Sequence, residues 1–231
     1  MKSGLLCTRI LLTVVLVFLA PVTQAGILLD KAIVEFKPDE PPRQDVVVIN
    51  DSETENAYVQ VEVLEVVNPG TEQEERRKIT DPDEMQFVAS PAKLVIPPNG
   101  RKQVRLVNLA GPGDQEKVYR VNFTPVLPPL EEPGSKIRVV VAYQVLVLIH
   151  PNEPTVDLIA NRDGKTLSLQ NQGNSYVFVS AGRQCNTKGE NCQDLPSRRL
   201  YAGNTWKLDL PYTTPVTFTL VSFKGSRNET Y

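Results

Sequence analysis

Residues 136–149 read KIRVVVAYQVLVLI. The run is apolar enough for a fully buried strand, yet it opens with charged and apolar residues in alternation. The segment ahead of it, 124–135, holds four prolines and a glycine, and His150-Pro151 closes it. Strands in folded domains usually run about 5–6 residues. A 14-residue strand in a small β domain is therefore expected to reach past its own sheet. An apolar overhang of that kind aggregates unless another chain covers it. The run thus points to a strand offered to a partner.

Short segments rich in Val, Ile, Thr, Tyr and Phe, punctuated by Pro, Gly, Asn and Asp, surround this run, with almost no helical periodicity. The pattern is all-β. Strands are predicted over 27–36, 43–50, 57–67, 85–89, 101–108, 117–124 and 136–149, an immunoglobulin-like number. Val59, Val61 and Val63 alternate with Gln60 and Glu62. The parity then moves to Leu64 and Val66, which predicts a bulge. Pro151-Asn152-Glu153-Pro154 reads as a short stiff linker (151–154). Beyond it, strands are predicted over 155–160, 165–171, 175–181, 198–201, 205–210 and 215–223. The chain is therefore expected to hold two β-sandwich domains, 26–150 and 155–231.

Residues 1–25 read as a cleaved secretory signal. Lys2 and Arg9 supply the positive start, 10–20 the apolar stretch, and Thr23-Gln24-Ala25 the small-residue cleavage site. The apolar stretch is short for a spanning helix of about 20 residues, and no membrane insertion is expected. Cys7 leaves with the signal. Cys185 and Cys192 remain, an even pair in an exported chain, and are expected to form a disulfide.

Without the signal the chain carries 23 basic and 27 acidic residues, a formal charge of −4. No basic patch points to nucleic acid. The cluster 72–78 mixes both signs and reads as a solvated loop rim. Catalysis is not expected. His150 is the lone histidine, no nucleophile–base set or phosphate loop can be assembled, and metal-ligand spacing is absent, so neither metal nor cofactor is expected.

Several stretches, in this order and spacing, resemble the PapD-like periplasmic chaperones of pilus and fimbrial subunits. They are 46–51 (VVVIND), 98–106 (PNGRKQVRL), 116–123 (EKVYRVNF), and 136–151 with its closing proline. The resemblance covers essentially all of 26–223. It implies two immunoglobulin-like sandwiches in an L or boomerang arrangement. The long strand would complete a pilin subunit that lacks its own last strand, before release at an outer-membrane usher. Positions matching the family's donor residues are Ile137, Val139 and Val141, which share one face opposite Lys136 and Arg138.

One branch of the family anchors the pilin's terminal carboxylate with an Arg and a Lys. The matching positions here are Ile33 and Leu146, which cannot bind a carboxylate. A second branch, archaic or alternate, is more similar. It has a Tyr-Arg pair in the sixth strand and a Cys pair in the second domain, as in Tyr119-Arg120 and Cys185/Cys192. Arg120 is then the expected anchor, since a guanidinium binds carboxylate through a two-pronged fork. Lys31 and Gln144 are expected to assist, Lys31 by sharing a face with Ile33. His150 replaces a basic residue, and any interdomain contact it makes would be pH-sensitive. Self-association of the free chain through the uncovered strand is a further expectation. The rival expectation is a secreted two-domain sandwich with a structural or adhesive role.

Overall fold

The computed structural model describes residues 26–127 and 140–231. The first domain contains β1 (Ile27–Leu29), β2 (Ile33–Phe36), β3 (Arg43–Asn50), β4 (Ala57–Val67), β5 (Glu75–Arg77), β6 (Phe87–Ser90), β7 (Lys93–Ile96), β8 (Arg101–Asn108), β9 (Lys117–Pro125) and β10 (Tyr143–Ile149). One sheet runs β1-β3-β8-β6. The other runs β2-β10-β9-β4-β5, with β7 also paired to β4. The second domain contains β11 (Leu158–Asp163), β12 (Thr166–Asn171), β13 (Val177–Gln184), β14 (Gln193–Asp194), β15 (Arg198–Leu200), β16 (Thr205–Asp209), β17 (Thr217–Ser222) and β18 (Gly225–Thr230). Its sheets run β11-β12-β16 and β14-β13-β17-β18, with β15 beside β13. Each domain is an immunoglobulin-like sandwich with its own buried core, one around Val121, Phe123 and Val147, the other around Leu167, Val179 and Phe218. Cys185 and Cys192 are bonded, tying the turn after β13 to the start of β14.

Several expectations are corrected. The strand predicted over 27–36 divides in two. β1 pairs antiparallel with β3, whereas β2 pairs parallel with β10 in the opposite sheet. Asp30 makes the crossing, its carboxylate accepting from the Val47 N–H at 2.8 Å. The bulge predicted in β4 is absent, because the register with β9 is unbroken from Val59↔Pro125 to Val66↔Val118. The parity change has another cause. Val66 faces outward and is buried with Val118, Leu146, Leu148, Tyr176 and Tyr201 between the two domains.

The charged cluster is not simply a loop. Glu75–Arg77 form β5, fully exposed, with Arg77 and Lys78 paired to Glu65 and Glu62 at 2.7 Å each. Strands β14 and β18 were not expected from sequence, since QD and GSRNET carry no apolar alternation. Of the long strand predicted over 136–149, Tyr143–Ile149 is paired, Val140–Ala142 is not in a strand, and the donor positions Ile137 and Val139 lie outside the described residues.

The sandwiches are joined by more than the linker. His150 ends β10 with a side chain that is 0% exposed. Its Nδ1 lies 2.9 Å from Ser175 Oγ and 3.5 Å from Glu116 Oε2, and its Nε2 lies 3.3 Å from Glu35 Oε2. Ser175 Oγ and the Tyr176 N–H both donate to Glu116, at 2.8 and 3.1 Å. The Tyr176 hydroxyl donates to Glu35 at 2.6 Å. Two carboxylates from the first domain therefore meet one serine and one tyrosine from the second, around a buried imidazole. A second contact sits at Gly70, whose φ of +74° suits glycine. A Cβ there would meet Asn204 Oδ1 at 2.7 Å, so only glycine lets this loop close on the second domain.

Glu35 is held below its ordinary value near 4.5, foremost by its bond to His150, with burial opposing. Glu116 is held above that value because burial outweighs the bonds from Tyr176 and Ser175. Their contributions to stability have opposite signs. Glu35 contributes stability above its unfolded value that is lost as pH falls through its lowered folded value. Glu116 costs nothing in acid, then withdraws stability as pH rises toward its raised folded value. In thermal melts across pH, Glu35→Gln should lose less than the natural chain as pH drops below 4.5. Glu116→Gln should gain on it as pH rises above 4.5. Leu148→Ala should cost about 2–5 kcal/mol by chemical denaturation, since it empties the buried outer face of β10. Exposed Val141→Asp should cost no more than about 0.5 kcal/mol.

Candidate functional site

β10 is flanked by β9 on one side and β2 on the other, but unequally. β9 pairs with it from Tyr143 to Ile149, whereas β2 pairs only from Leu146 to Ile149. Before Ile33 the chain has already crossed to the other sheet. Among the described residues no strand lies beside Tyr143–Val145 on that side, which leaves a lane along a row of backbone donors and acceptors. Val140 and Val141 lie just ahead of this edge and are exposed, Val141 at 56%. Tyr58, Val126 and Leu127 are exposed as well, with Val126 bonded to the Tyr58 carbonyl at 2.7 Å. Among the described residues, the end of the sheet where β10 begins is therefore apolar and exposed.

At its other end the lane is blocked by the start of β2. Ile33 there is in register with Leu146, Leu146 with Arg120, and Arg120 with Leu64. Directly opposite residues share a face, so these four form one row across the outer face of the sheet. The Arg120 guanidinium stands in this otherwise apolar row, with its Nε buried and without a hydrogen-bond partner. Its neighbour Tyr119 points the other way, into the core. It is 1% exposed and stacks on Phe87 at 4.8 Å, and burial pushes its phenol up to about 12.

The expected helpers separate. Gln144 lies on the outer face one step from the row, where its amide donates to Asn122 Oδ1 at 2.7 Å. Lys31 does not join them. Its Nζ donates to the Asp45 carbonyl at 2.8 Å, on β3, beside the Asp45–Arg105 ion pair. The alternation that put Lys31 with Ile33 fails because the chain changes sheets between them.

Arg199, on β15, escaped the sequence reading. Its guanidinium lies 4.5 Å from the centroid of the Tyr176 ring and 5.7 Å from that of Phe178, and its Nη1 is buried without a partner. Arg198-Arg199 has no signal beyond a dipeptide of like charge. Only the packing of β15 against β13, with Arg199 opposite Phe178, aims it at the first domain. Burial raises the pKa of Tyr201, and the charges of Arg199 and Arg120 both oppose that rise.

Among the described residues, no three His, Cys, Asp or Glu side chains gather as a metal site would require. The arrangement offers an open strand edge, an apolar end and guanidinium groups, which together suit recognition of an extended polypeptide.

A CS1 fimbrial protein of Escherichia coli is 28% identical over 162 residues, 64% of this chain and 67% of that protein. The solved class 5 fimbriae chaperone CfaA superposes with a TM-score of 0.65 at 21% identity, over 89% of this chain and 98% of its own. A CsuC–CsuE chaperone–tip subunit pre-assembly complex from Acinetobacter baumannii matches with a TM-score of 0.59 at 15% identity, over 90% and 97%. The two solved structures show a shared fold. Residues 26–155, more than half of the sequence, match the model of the N-terminal domain of the pili and flagellar-assembly chaperones, the PapD type, and the chain belongs to that family.

Proposed function

We propose that this chain is a periplasmic chaperone that folds and caps fimbrial subunits by donating a strand, then delivers them to an outer-membrane usher. The observation that carries the proposal is the lane beside Tyr143–Val145, where among the described residues β10 lacks the partner that β2 gives it further on. A subunit strand entering this lane would extend the sheet through backbone hydrogen bonds. A strand that kept the alternation of Val145, Val147 and Ile149 would present Ile137, Val139 and Val141 on one face to a subunit's open groove. Burial of each of these side chains would contribute about 1.5–3 kcal/mol. Strand addition would supply the folding energy, with no cofactor and no covalent chemistry.

The lane ends at the row holding Arg120, so a strand lying in it would bring its last carboxylate to the guanidinium. A fork of two N–H donors suits that group better than a point charge does. A free chain with an uncovered apolar strand would self-associate until a subunit covers it.

Co-expression with the fimbrial subunit encoded beside this chain tests the proposal. The subunit should co-purify with the chain, and this should be lost when Val139 and Val141 become Asp while circular dichroism stays unchanged. A subunit that folds and co-purifies regardless would refute strand donation. Arg120→Ala should lower recovered subunit by about tenfold, the worth of one charge-assisted hydrogen bond or more. Undiminished recovery with a folded variant would remove Arg120 as the anchor.

A further inference from the structure

We infer that the first domain holds a small-molecule site, a cavity between its two sheets that takes a compact, uncharged aromatic molecule with a hydrogen-bond acceptor for the Tyr119 hydroxyl. The cavity opens beside β4, across the sheet from the edge of β10 proposed to receive a subunit strand. The inference goes beyond that reading and does not depend on it.

The cavity follows from the path of the chain. β6 pairs with β8 in one sheet and β7 with β4 in the other, so the chain changes sheets between them. β7 covers the edge of β4 only from Ala57 to Gln60, and β5 covers it again from Glu65. Among the described residues no strand lies beside 61–64 on that edge. The Val61 N–H donates across it to the Ala92 carbonyl at 2.8 Å. Alternate residues of an antiparallel strand turn their backbone groups to the same edge, so Val63 turns its N–H and C=O into the gap. Behind the gap is a cavity of about 330 Å³ whose lining includes Val61, Val63, Ile79, Met85, Phe87 and Tyr119. Small-molecule sites run from about 300 to 1,000 Å³.

The lining sets the chemistry of the ligand. Tyr119 is 1% exposed, and among the described residues its hydroxyl is buried without a hydrogen-bond partner. Buried tyrosines usually find one, and a buried polar group left unpaired costs about 1–3 kcal/mol. Burial pushes the phenol up to about 12, so at neutral pH it is a protonated donor awaiting an acceptor. Two neighbours favour a ring. Phe87 already stacks on Tyr119 at 4.8 Å, and Met85 offers a thioether, which packs well against aromatic edges. The rim excludes charge. Glu62 and Glu65 are each paired at 2.7 Å, with Lys78 and Arg77, and Lys93 is exposed to water. No buried charge is left to hold an ion. An apolar cavity of about 150 Å³ holds benzene, so this one, about twice as large, suits two fused rings.

Quinoline and naphthalene test the inference on the purified full chain. They share a two-ring shape, and only quinoline carries an acceptor. Quinoline should bind saturably below about 1 mM and raise the melting temperature, with the largest NMR shift changes at Val63, Met85, Phe87 and Tyr119. Tyr119→Phe should weaken quinoline about tenfold and leave naphthalene within about twofold. The same variant should melt with the natural chain, because the hydroxyl it removes has no partner. Val63→Phe fills the cavity and should abolish binding of both molecules. If circular dichroism shows that it disturbs the fold, Met85→Trp is judged in its place. The inference is overturned if quinoline shows no saturable binding below about 1 mM, or if Tyr119→Phe leaves its affinity within about twofold. A folded filling variant that still binds quinoline overturns it as well. So does a Tyr119→Phe variant that melts well below the natural chain, since its hydroxyl would then be satisfied within the protein.

Discussion

The structure turns on β10, which is buried on both faces. Val145, Val147 and Ile149 fill the core of the first sandwich, while Leu146 and Leu148 are covered from outside by Tyr176 and Tyr201 of the second. A strand apolar on both sides is stable only where both sides are covered. The docking of the second domain is therefore a condition for the first domain's central strand to exist as it does. The same strand is asymmetric along its length. Its later half has neighbours on both edges and both faces, whereas among the described residues its earlier half is paired on one edge alone. One element thus holds the protein together at one end and leaves backbone unpaired at the other.

Polar groups set the joint between the sandwiches. A buried imidazole between two carboxylates would be costly if unpaired, yet each group here has bonds from both domains. Ser175 and Tyr176 donate to Glu116 Oε2 and Glu35, and His150 closes the set, while Glu116 Oε1 is buried without a hydrogen-bond partner. Hydrogen bonds impose direction, as apolar contacts between Leu146, Leu148 and the tyrosines cannot. The apolar cluster draws the domains together, and the polar set chooses how they face one another.

Much of this was legible in the residues themselves. Alternation of Val59 and Val61 with Gln60 and Glu62 located β4, the turn at 97–100 located β8, and the long apolar run marked the strand around which the first domain is built. Two exported cysteines sufficed to expect their bond, because redox compartment and even number are properties of the chain alone. Arg120 stood out as a charge interrupting an apolar strand. What escaped the sequence were features made by distant segments meeting. Outward Leu64 and Val66 looked like a bulge because the cover over Val66 comes from another domain. Lys31 looked like a neighbour of Ile33 because alternation cannot register a chain that changes sheets. Arg199 gave no sign, since its environment is made by Tyr176, Phe178 and a sheet that ends some 50 residues earlier. Periodicity reports which side of its own strand a residue occupies. Only tertiary structure decides what stands on that side, because burial and charge pairing depend on groups far away in the chain.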